Sequence, residues 1–94
     1  MELVYVDEAD RILGQDLSGN VLAEVCFPTN GPDTVRITHT YVDPTLRGQG
    51  VAGELMEKAC GKLAREGKKA VPVCSYAVAW FQKNPGRQDL LAQQ

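Results

Sequence analysis

Histidine and cysteine, the residues that build most metal sites and disulfide frameworks, are scarce in this sequence. Its 94 residues include one histidine, His39, and three cysteines, Cys26, Cys60 and Cys74, with no C-x-x-C pair among them. A structural zinc site needs about four such ligands at short spacing, and a disulfide framework needs an even set of cysteines. We therefore expect no metal, no disulfide framework and a location in the reducing cytoplasm.

Long apolar runs and an excess of basic residues are also missing. No stretch approaches the roughly 20 apolar residues of a membrane-spanning helix, and the acidic start MELVYVDEAD does not have the pattern of a signal peptide. The formal net charge is −2 and the pI is near 5.3, whereas a nucleic-acid binder would carry a basic face. We therefore expect neither a membrane nor a nucleic acid as partner.

The chain does have the length of one domain, and its two halves differ in hydrophobic period. Residues 1–94 allow a single modest core, with 86–94 as a frayed polar tail. Strands are predicted over Glu2–Val6, Arg11–Gln15, Val21–Phe27 and Thr34–Val42, followed by a helix over Val51–Glu66, a strand over Ala70–Cys74 and a helix over Tyr76–Lys83. This order predicts an α+β fold: a mixed, mostly antiparallel sheet with one long and one short helix.

The strand predicted over Thr34–Val42 determines the geometry of any site in this fold. Regular alternation would put Val35, Ile37, His39 and Tyr41 on one face. A single helix connects this strand to the one over Ala70–Cys74, and such a crossover makes the two strands parallel. We expect the sheet to splay where these two strands meet.

The stretch LRGQGVAG, residues 46–53, allows two interpretations. From Gly48 it spells G-x-G-x-x-G, the dinucleotide-binding pattern. From Arg47 it spells R-x-x-G-x-A, a loop that holds the pyrophosphate of coenzyme A. Both patterns place an anion on backbone N–H groups at the start of a helix, where glycine lets the backbone come close.

The rest of the chain excludes the dinucleotide interpretation. A dinucleotide fold has its glycine loop after the first strand and an acidic residue about 20 positions further on. Here the loop lies in mid-chain, and no Asp or Glu occurs between Gly67 and Gln88. A Walker loop is excluded as well, because no Lys-Ser/Thr follows the last glycine.

The order of a strand meander, glycine loop, helix, strand and helix resembles the core of the GCN5-related N-acetyltransferases. The family pattern R/Q-x-x-G-x-G/A is matched by Arg47, Gly50 and Ala52. ITHTYVDPTLRGQGVAGELMEKA and VPVCSYAV together resemble a small single-domain subfamily, with His-Thr before the loop and a cysteine after the next strand. This likeness covers residues 2–85.

The resemblance implies acetyl-coenzyme A as co-substrate, with its pyrophosphate on loop residues Arg47, Gly48, Gln49, Gly50, Val51 and Ala52. The pantetheine would bond to strand backbone near Val42. The two early helices and last two strands of longer family members have no counterpart here, so the acceptor, a small amine or a protein or peptide, stays undefined. The alternative is a non-catalytic coenzyme A-binding or protein-interaction module.

Two catalytic candidates follow from the same resemblance. It places Cys74 beside the thioester, at a helix start whose free N–H groups stabilise an anion. His39 supplies the only imidazole and could remove the thiol proton. We expect Cys74 to be an acetyl carrier or a thioester contact with His39 as its base; the alternatives are packing roles for both. Tyr41 and Tyr76 are interpreted as packing, although a tyrosine protonates the leaving thiolate in many family members.

Overall fold

The computed structural model describes residues 3–92 and has the predicted α+β architecture. Its elements are β1 (Val4–Glu8), β2 (Arg11–Gln15), β3 (Val21–Cys26), β4 (Thr34–Ile37), β5 (His39–Val42), α1 (Val51–Glu66), β6 (Lys69–Pro72) and α2 (Ser75–Lys83), with 3₁₀ turns at Pro44–Leu46 and Pro85–Leu90. The first strand lies later than predicted, and Glu2 is outside the described residues. A mostly antiparallel sheet with one long and one short helix is confirmed.

The strands form two groups. A four-stranded antiparallel sheet has the order β1–β2–β3–β5, and β4 pairs with β6 in parallel. The β2–β3 turn is fixed by Asp16, whose Oδ1 accepts hydrogen bonds from the N–H groups of Ser18 and Asn20, both at 2.9 Å. The predicted parallel pairing across the helical crossover is confirmed.

The single strand predicted over Thr34–Val42 is wrong, because the chain leaves its ladder at Thr38. Thr38 N donates to Cys26 O at 3.1 Å, β4 continues beside β6, and β5 pairs with β3. One residue outside a ladder reverses the alternation of all that follow. Val35 and Ile37 are buried whereas His39 and Tyr41 are exposed, so the predicted shared face is wrong too. The expected splay is therefore a gap between β5 and the end of β6.

Helix α1 has its predicted limits because a glycine bounds each end. Gly50 at the amino end and Gly67 at the carboxyl end both adopt left-handed backbone angles. Lys68 N donates to Leu63 O at 2.9 Å and Gly67 N to Ala64 O at 3.3 Å, which satisfies carbonyls of the last turn. The apolar stripe of α1 packs on the sheet face that carries Ala23 and Val25, both fully buried. No helix in residues 3–92 is long and apolar enough to cross a membrane.

The tail predicted to fray from residue 86 is ordered as far as Ala92. Leu90 is buried in the core, and Ala92 N donates to Ala70 O at 2.8 Å. Lys69 Nζ donates to Asp89 O at 2.6 Å. The prediction considered only the polarity of the tail; the outer edge of β6 has unpaired backbone groups, and the tail bonds to that edge. Residues 93–94 lie outside the described residues.

Candidate functional site

The loop between β5 and α1 is fixed at its first residue. Asp43 Oδ1 accepts hydrogen bonds from Thr45 N at 2.9 Å and Thr45 Oγ1 at 2.7 Å, and these bonds lower the pKa of the carboxyl group. Leu46 is buried in the core. The backbone then passes through Gly48 and Gly50 with φ angles of 83° and 76°. Glycine adopts this left-handed conformation without strain, so both positions depend on it.

The start of α1 presents free backbone donors. No side chain caps it, and the first helical hydrogen bond is donated by Glu54 N to Gly50 O at 3.0 Å. The N–H groups of Val51, Ala52 and Gly53 come before that bond and have no acceptor within the helix. Three such donors at the positive end of a helix form a binding position for an anion.

These donors lie beside a cleft of about 240 Å³. Its lining residues are Val42, Leu46, Arg47, Gly48, Gly50, Val51, Ala52, Gly53 and Tyr76. The lining contains every cofactor-binding residue predicted from the sequence except Gln49, whose Nε2 instead donates to Thr45 O at 3.3 Å. Gly53 and Tyr76 were not in the predicted cofactor set.

Gly53 and Tyr76 lie next to each other in the cleft lining. A Cβ at Gly53 would stand 3.9 Å from Tyr76 Oη and 3.9 Å from Trp80 Nε1, which is ordinary van der Waals distance, so the phenol lies against the first turn of α1. Burial, and then the charge of Cys74, raise the pKa of Tyr76 above 10.0. Tyr76 is thus a protonated phenol at neutral pH.

Cys74 is the amino-terminal cap of α2, and its sulfur has two polar neighbours. Sγ accepts a hydrogen bond from Ala77 N at 3.4 Å and lies 3.6 Å from Thr40 Oγ1. The second contact spans the gap between β5 and the β6–α2 junction. Thr40 was missed as a site residue because the unbroken strand predicted from the sequence put it on the wrong face.

His39 lies on the opposite side of the sheet from this contact. Its side chain is 57% exposed, and its Nε2 is 4.0 Å from Glu24 Oε1. His39 and Thr40 are consecutive strand residues, so their side chains point to opposite faces. The predicted pair of His39 as base and Cys74 as nucleophile is therefore not assembled. The reversal at Thr38 is the physical reason.

Unlike Tyr76, the other candidates Cys26, Cys60, Trp80 and Phe81 do not line the cleft. Burial raises the pKa of Cys26 and of Cys60 to about 11, so both are thiols at neutral pH. Cys60 is fully buried and packs in the core, whereas Cys26 is only half-buried. Trp80 and Phe81 are core residues, with their rings edge to face at 5.1 Å.

Comparison with known proteins identifies the family. Residues 12–90 match the family model described as GCN5-related N-acetyl-transferase. The chain belongs to the GCN5-related N-acetyltransferases. It is thus a transferase by family. No curated protein matches the sequence.

Solved structures of this family share the fold. A GCN5-like protein from Staphylococcus aureus is 25% identical with a TM-score of 0.80, over 98% of this chain and 90% of that one. A GNAT-family N-acetyltransferase from Escherichia coli, solved in complex with CoA, is 24% identical with a TM-score of 0.63, over 73% of this chain and 42% of that one.

The ribosomal-protein-S18-alanine N-acetyltransferase from Escherichia coli is 17% identical with a TM-score of 0.64, over 84% of this chain and 50% of that one. At this identity the likeness concerns the fold alone. The chain thus spans about half the length of the two Escherichia coli acetyltransferases and most of the length of the Staphylococcus aureus protein.

Proposed function

We propose that the protein transfers acetyl groups from acetyl-coenzyme A to an amine, with the pyrophosphate of coenzyme A bound by the loop of residues 47–52. The observation that carries the proposal is the set of free N–H groups on Val51, Ala52 and Gly53. These groups lie next to the cleft and directly follow Gly50, whose backbone angles are left-handed. A pyrophosphate needs several convergent donors and room for close approach, and both are present there.

The free edge of β5 supports a path for the pantetheine. This strand pairs with β3 on one side, and its other edge faces the gap to β6. Unpaired strand groups bond readily to the amides of an extended ligand. The path would run from the loop past Val42 to Thr40, which contacts Cys74. We therefore place the thioester next to Cys74 and Tyr76.

Direct transfer is the chemistry that this arrangement supports best. The amine nitrogen forms the new C–N bond as the C–S bond of the thioester breaks, and the leaving sulfur takes a proton. Tyr76 is the protonated donor in the cleft, and Cys74 acts as a thioester contact. Labelled acetyl-coenzyme A and peptide mapping would find acetyl on Cys74 only if transfer is covalent.

Calorimetry with coenzyme A tests the proposed binding. Gly50→Val adds a side chain where the phosphate must approach, so binding should be lost, and Arg47→Ala should weaken it by about 1.5–3 kcal/mol. Gly19→Val is the matched control, because Gly19 has a φ of 88° in the β2–β3 turn. Equal affinity of Gly50→Val and Gly19→Val would contradict the proposal.

A non-catalytic coenzyme A-binding module is the second candidate. The observation that favours it is the exposure of the sheet face opposite α1, where Tyr41 is 40% and Val4 48% exposed. Release of free coenzyme A thiol on addition of amines separates the two candidates. An enzyme releases thiol in proportion to the amine, whereas a binding module does not.

A further inference from the structure

A cavity of about 490 Å³ lies between α1 and the edge strand β1, and it is here called the α1–β1 cavity. Helix α1 contributes Glu54, Glu57, Lys58, Gly61 and Arg65 to its lining, and β1 contributes Tyr5 and Asp7. None of these residues lines the cleft beside the glycine loop. The cavity is therefore separate from the position proposed for coenzyme A.

Each carboxylate of the cavity already accepts a hydrogen bond from a side chain of the protein. The three pairs are Asp7 with Lys62, Glu54 with Tyr5, and Glu57 with Arg87. Two of these donors are cations. Together with them, the wall of the cavity contains four cations and three carboxylates, although the formal net charge of the whole chain is −2.

The two cations of the lining, by contrast, have no carboxylate partner. Among residues 3–92, neither Lys58 nor Arg65 forms an ion pair. Lys58 Nζ lies 4.6 Å from the centre of the Tyr5 ring, a contact that does not neutralise its charge. The dipole of α1 accounts for a cation in the last turn, such as Arg65, but not for Lys58 at mid-helix. An anion is the complementary occupant.

Gly61 lies between these two cations on the same side of α1, because the three residues are at positions i, i+3 and i+7. A Cβ at Gly61 would stand 3.5 Å from Arg65 Nη1, an ordinary contact, and no described residue of another element comes within 4 Å of it. Glycine is less favourable than alanine within a helix, and no packing contact requires it here. What this glycine provides is an uncovered stretch of helix between Lys58 and Arg65.

We propose that the α1–β1 cavity binds a phosphate monoester, with the dianionic phosphate between Lys58 and Arg65 and over Gly61. A dianion matches two uncompensated cations, and a guanidinium can donate two parallel hydrogen bonds to a phosphate. Glycine allows the anion to approach the helix closely. The Tyr5 ring, in the same lining, gives the organic group of the ester an apolar neighbour.

The probe is phenyl phosphate, titrated into isotope-labelled protein at constant ionic strength and followed by the backbone amide signals of α1 in NMR spectra. We expect a saturable shift of the Gly61 signal. The affinity should weaken roughly tenfold or more in Lys58→Gln and in Arg65→Gln, the effect of one charge-assisted hydrogen bond. Lys83→Gln is the matched control, because it removes the same charge from the last turn of α2 and should leave the affinity unchanged.

The charge of the ligand provides a second test. A phosphate monoester takes up its second proton near pH 6, so the binding of phenyl phosphate should weaken as the pH falls below about 6. Benzoate, which has a single negative charge, should bind roughly tenfold more weakly than phenyl phosphate at neutral pH.

Gly61→Ala separates binding from stability. The alanine should raise the free energy of unfolding, measured by urea denaturation, because it favours the helix. It should also weaken the binding of phenyl phosphate roughly tenfold, because its methyl group stands where the phosphate must approach. A loss of binding together with a gain in stability cannot come from unfolding.

Four results would overturn the proposal. Three of them are no saturable shift at Gly61, an equal loss of affinity in Lys58→Gln and Lys83→Gln, and unchanged binding in Gly61→Ala. The fourth is displacement of phenyl phosphate by coenzyme A but not by dephospho-coenzyme A, because Lys58 and Arg65 would then contact the ribose phosphate of the cofactor. Phosphate bound only at the glycine loop would shift the signals of residues 51–53 and not that of Gly61.

Discussion

Thr38 decides which side chains meet in the candidate site. It lies between β4 and β5 and belongs to neither strand. The side chains of β5 therefore point to the faces opposite those that one continuous strand would give them. This change turns His39 to the sheet face opposite α1 and turns Thr40 toward Cys74. The backbone at a single position thus determines which side chains of β5 face the cleft side of the sheet.

The contact between Thr40 and Cys74 should control the reactivity of the thiol. Either atom can be the donor at 3.6 Å, and only a hydroxyl that donates can stabilise a thiolate. Thr40→Val keeps the shape and removes the donor, so alkylation of Cys74 by iodoacetamide should slow roughly tenfold, the effect of one hydrogen bond to a charged group. Thr40→Ser should react at nearly the unchanged rate, measured by peptide mass spectrometry. Equal rates for the valine and serine variants would contradict this prediction.

Tyr76 should be needed for turnover and not for binding. Tyr76→Phe removes the proton donor, so kcat should fall on the order of 10²-fold while coenzyme A affinity stays within about twofold. A donor acts while it is protonated, and the pKa of Tyr76 is raised above 10.0 by burial and by Cys74. Activity that depends on protonated Tyr76 should therefore persist below pH 10.0 and decline at higher pH.

The control for that variant is Tyr5→Phe, which removes a phenol hydroxyl outside the cleft. Tyr5 Oη bonds to Glu54 on another side of α1. The kcat of both variants is measured by steady-state kinetics with an amine acceptor, in an assay that detects the released coenzyme A thiol. An equal fall in kcat for both would mean that general loss of structure, and not proton donation, explains the effect of Tyr76→Phe.

At the scale of elements, β1 is attached to α1 by polar contacts. Tyr5 Oη donates to Glu54 Oε2 at 3.1 Å, and Lys58 Nζ lies 4.6 Å from the centre of the Tyr5 ring. Lys62 Nζ donates to Asp7 and also to Glu8 O at 3.1 Å. These bonds link the edge strand to the helix that begins at the cofactor loop.

The Tyr5–Glu54 bond predicts a loss of stability at alkaline pH. Burial and the Glu54 carboxylate raise the pKa of Tyr5 from 10.0 to about 12. A raised folded-state pKa gives stability that is fully present below pH 10.0 and is lost as the pH rises through about 12. Tyr5→Phe should lower the free energy of unfolding by about 1 kcal/mol at pH 7. The same substitution should make the free energy of unfolding fall less steeply as the pH rises above 10.0, as measured by urea unfolding. A decline of unchanged steepness would contradict this assignment.

At the scale of the whole molecule, the tail completes the core. Leu90 is 5% exposed in the same cluster as Cys60 and Phe81. Leu90→Ala should therefore lower the free energy of unfolding by about 2–3 kcal/mol. Leu17→Ala, at a position 79% exposed, should change it by less than about 0.5 kcal/mol. Urea denaturation measures both, and equal effects would mean that the tail is not part of the folded core.

Local patterns in the sequence were enough for much of this fold. Gly50 and Gly67 bound α1 where the sequence placed its ends, because a left-handed glycine ends the last turn of a helix and glycine is also accepted at its amino-terminal cap. The parallel pairing of β4 with β6 followed from a single helical crossover. The loop that we propose for the pyrophosphate was also readable, because a run of residues consecutive in sequence forms it.

The rest depended on contacts between distant parts of the chain. The break at Thr38 arises because Ile37 bonds toward Val73 and Cys74 while Thr38 bonds to Cys26, and no local pattern records that competition. The meeting of Thr40 with Cys74 and of Tyr76 with Gly53 follows from it and from the docking of α2. The sequence by itself determined the elements and the glycine loop, since propensity, capping and crossover length act locally. Only the tertiary structure decided which face each side chain of β5 presents, because strand register is set by partners far away in sequence.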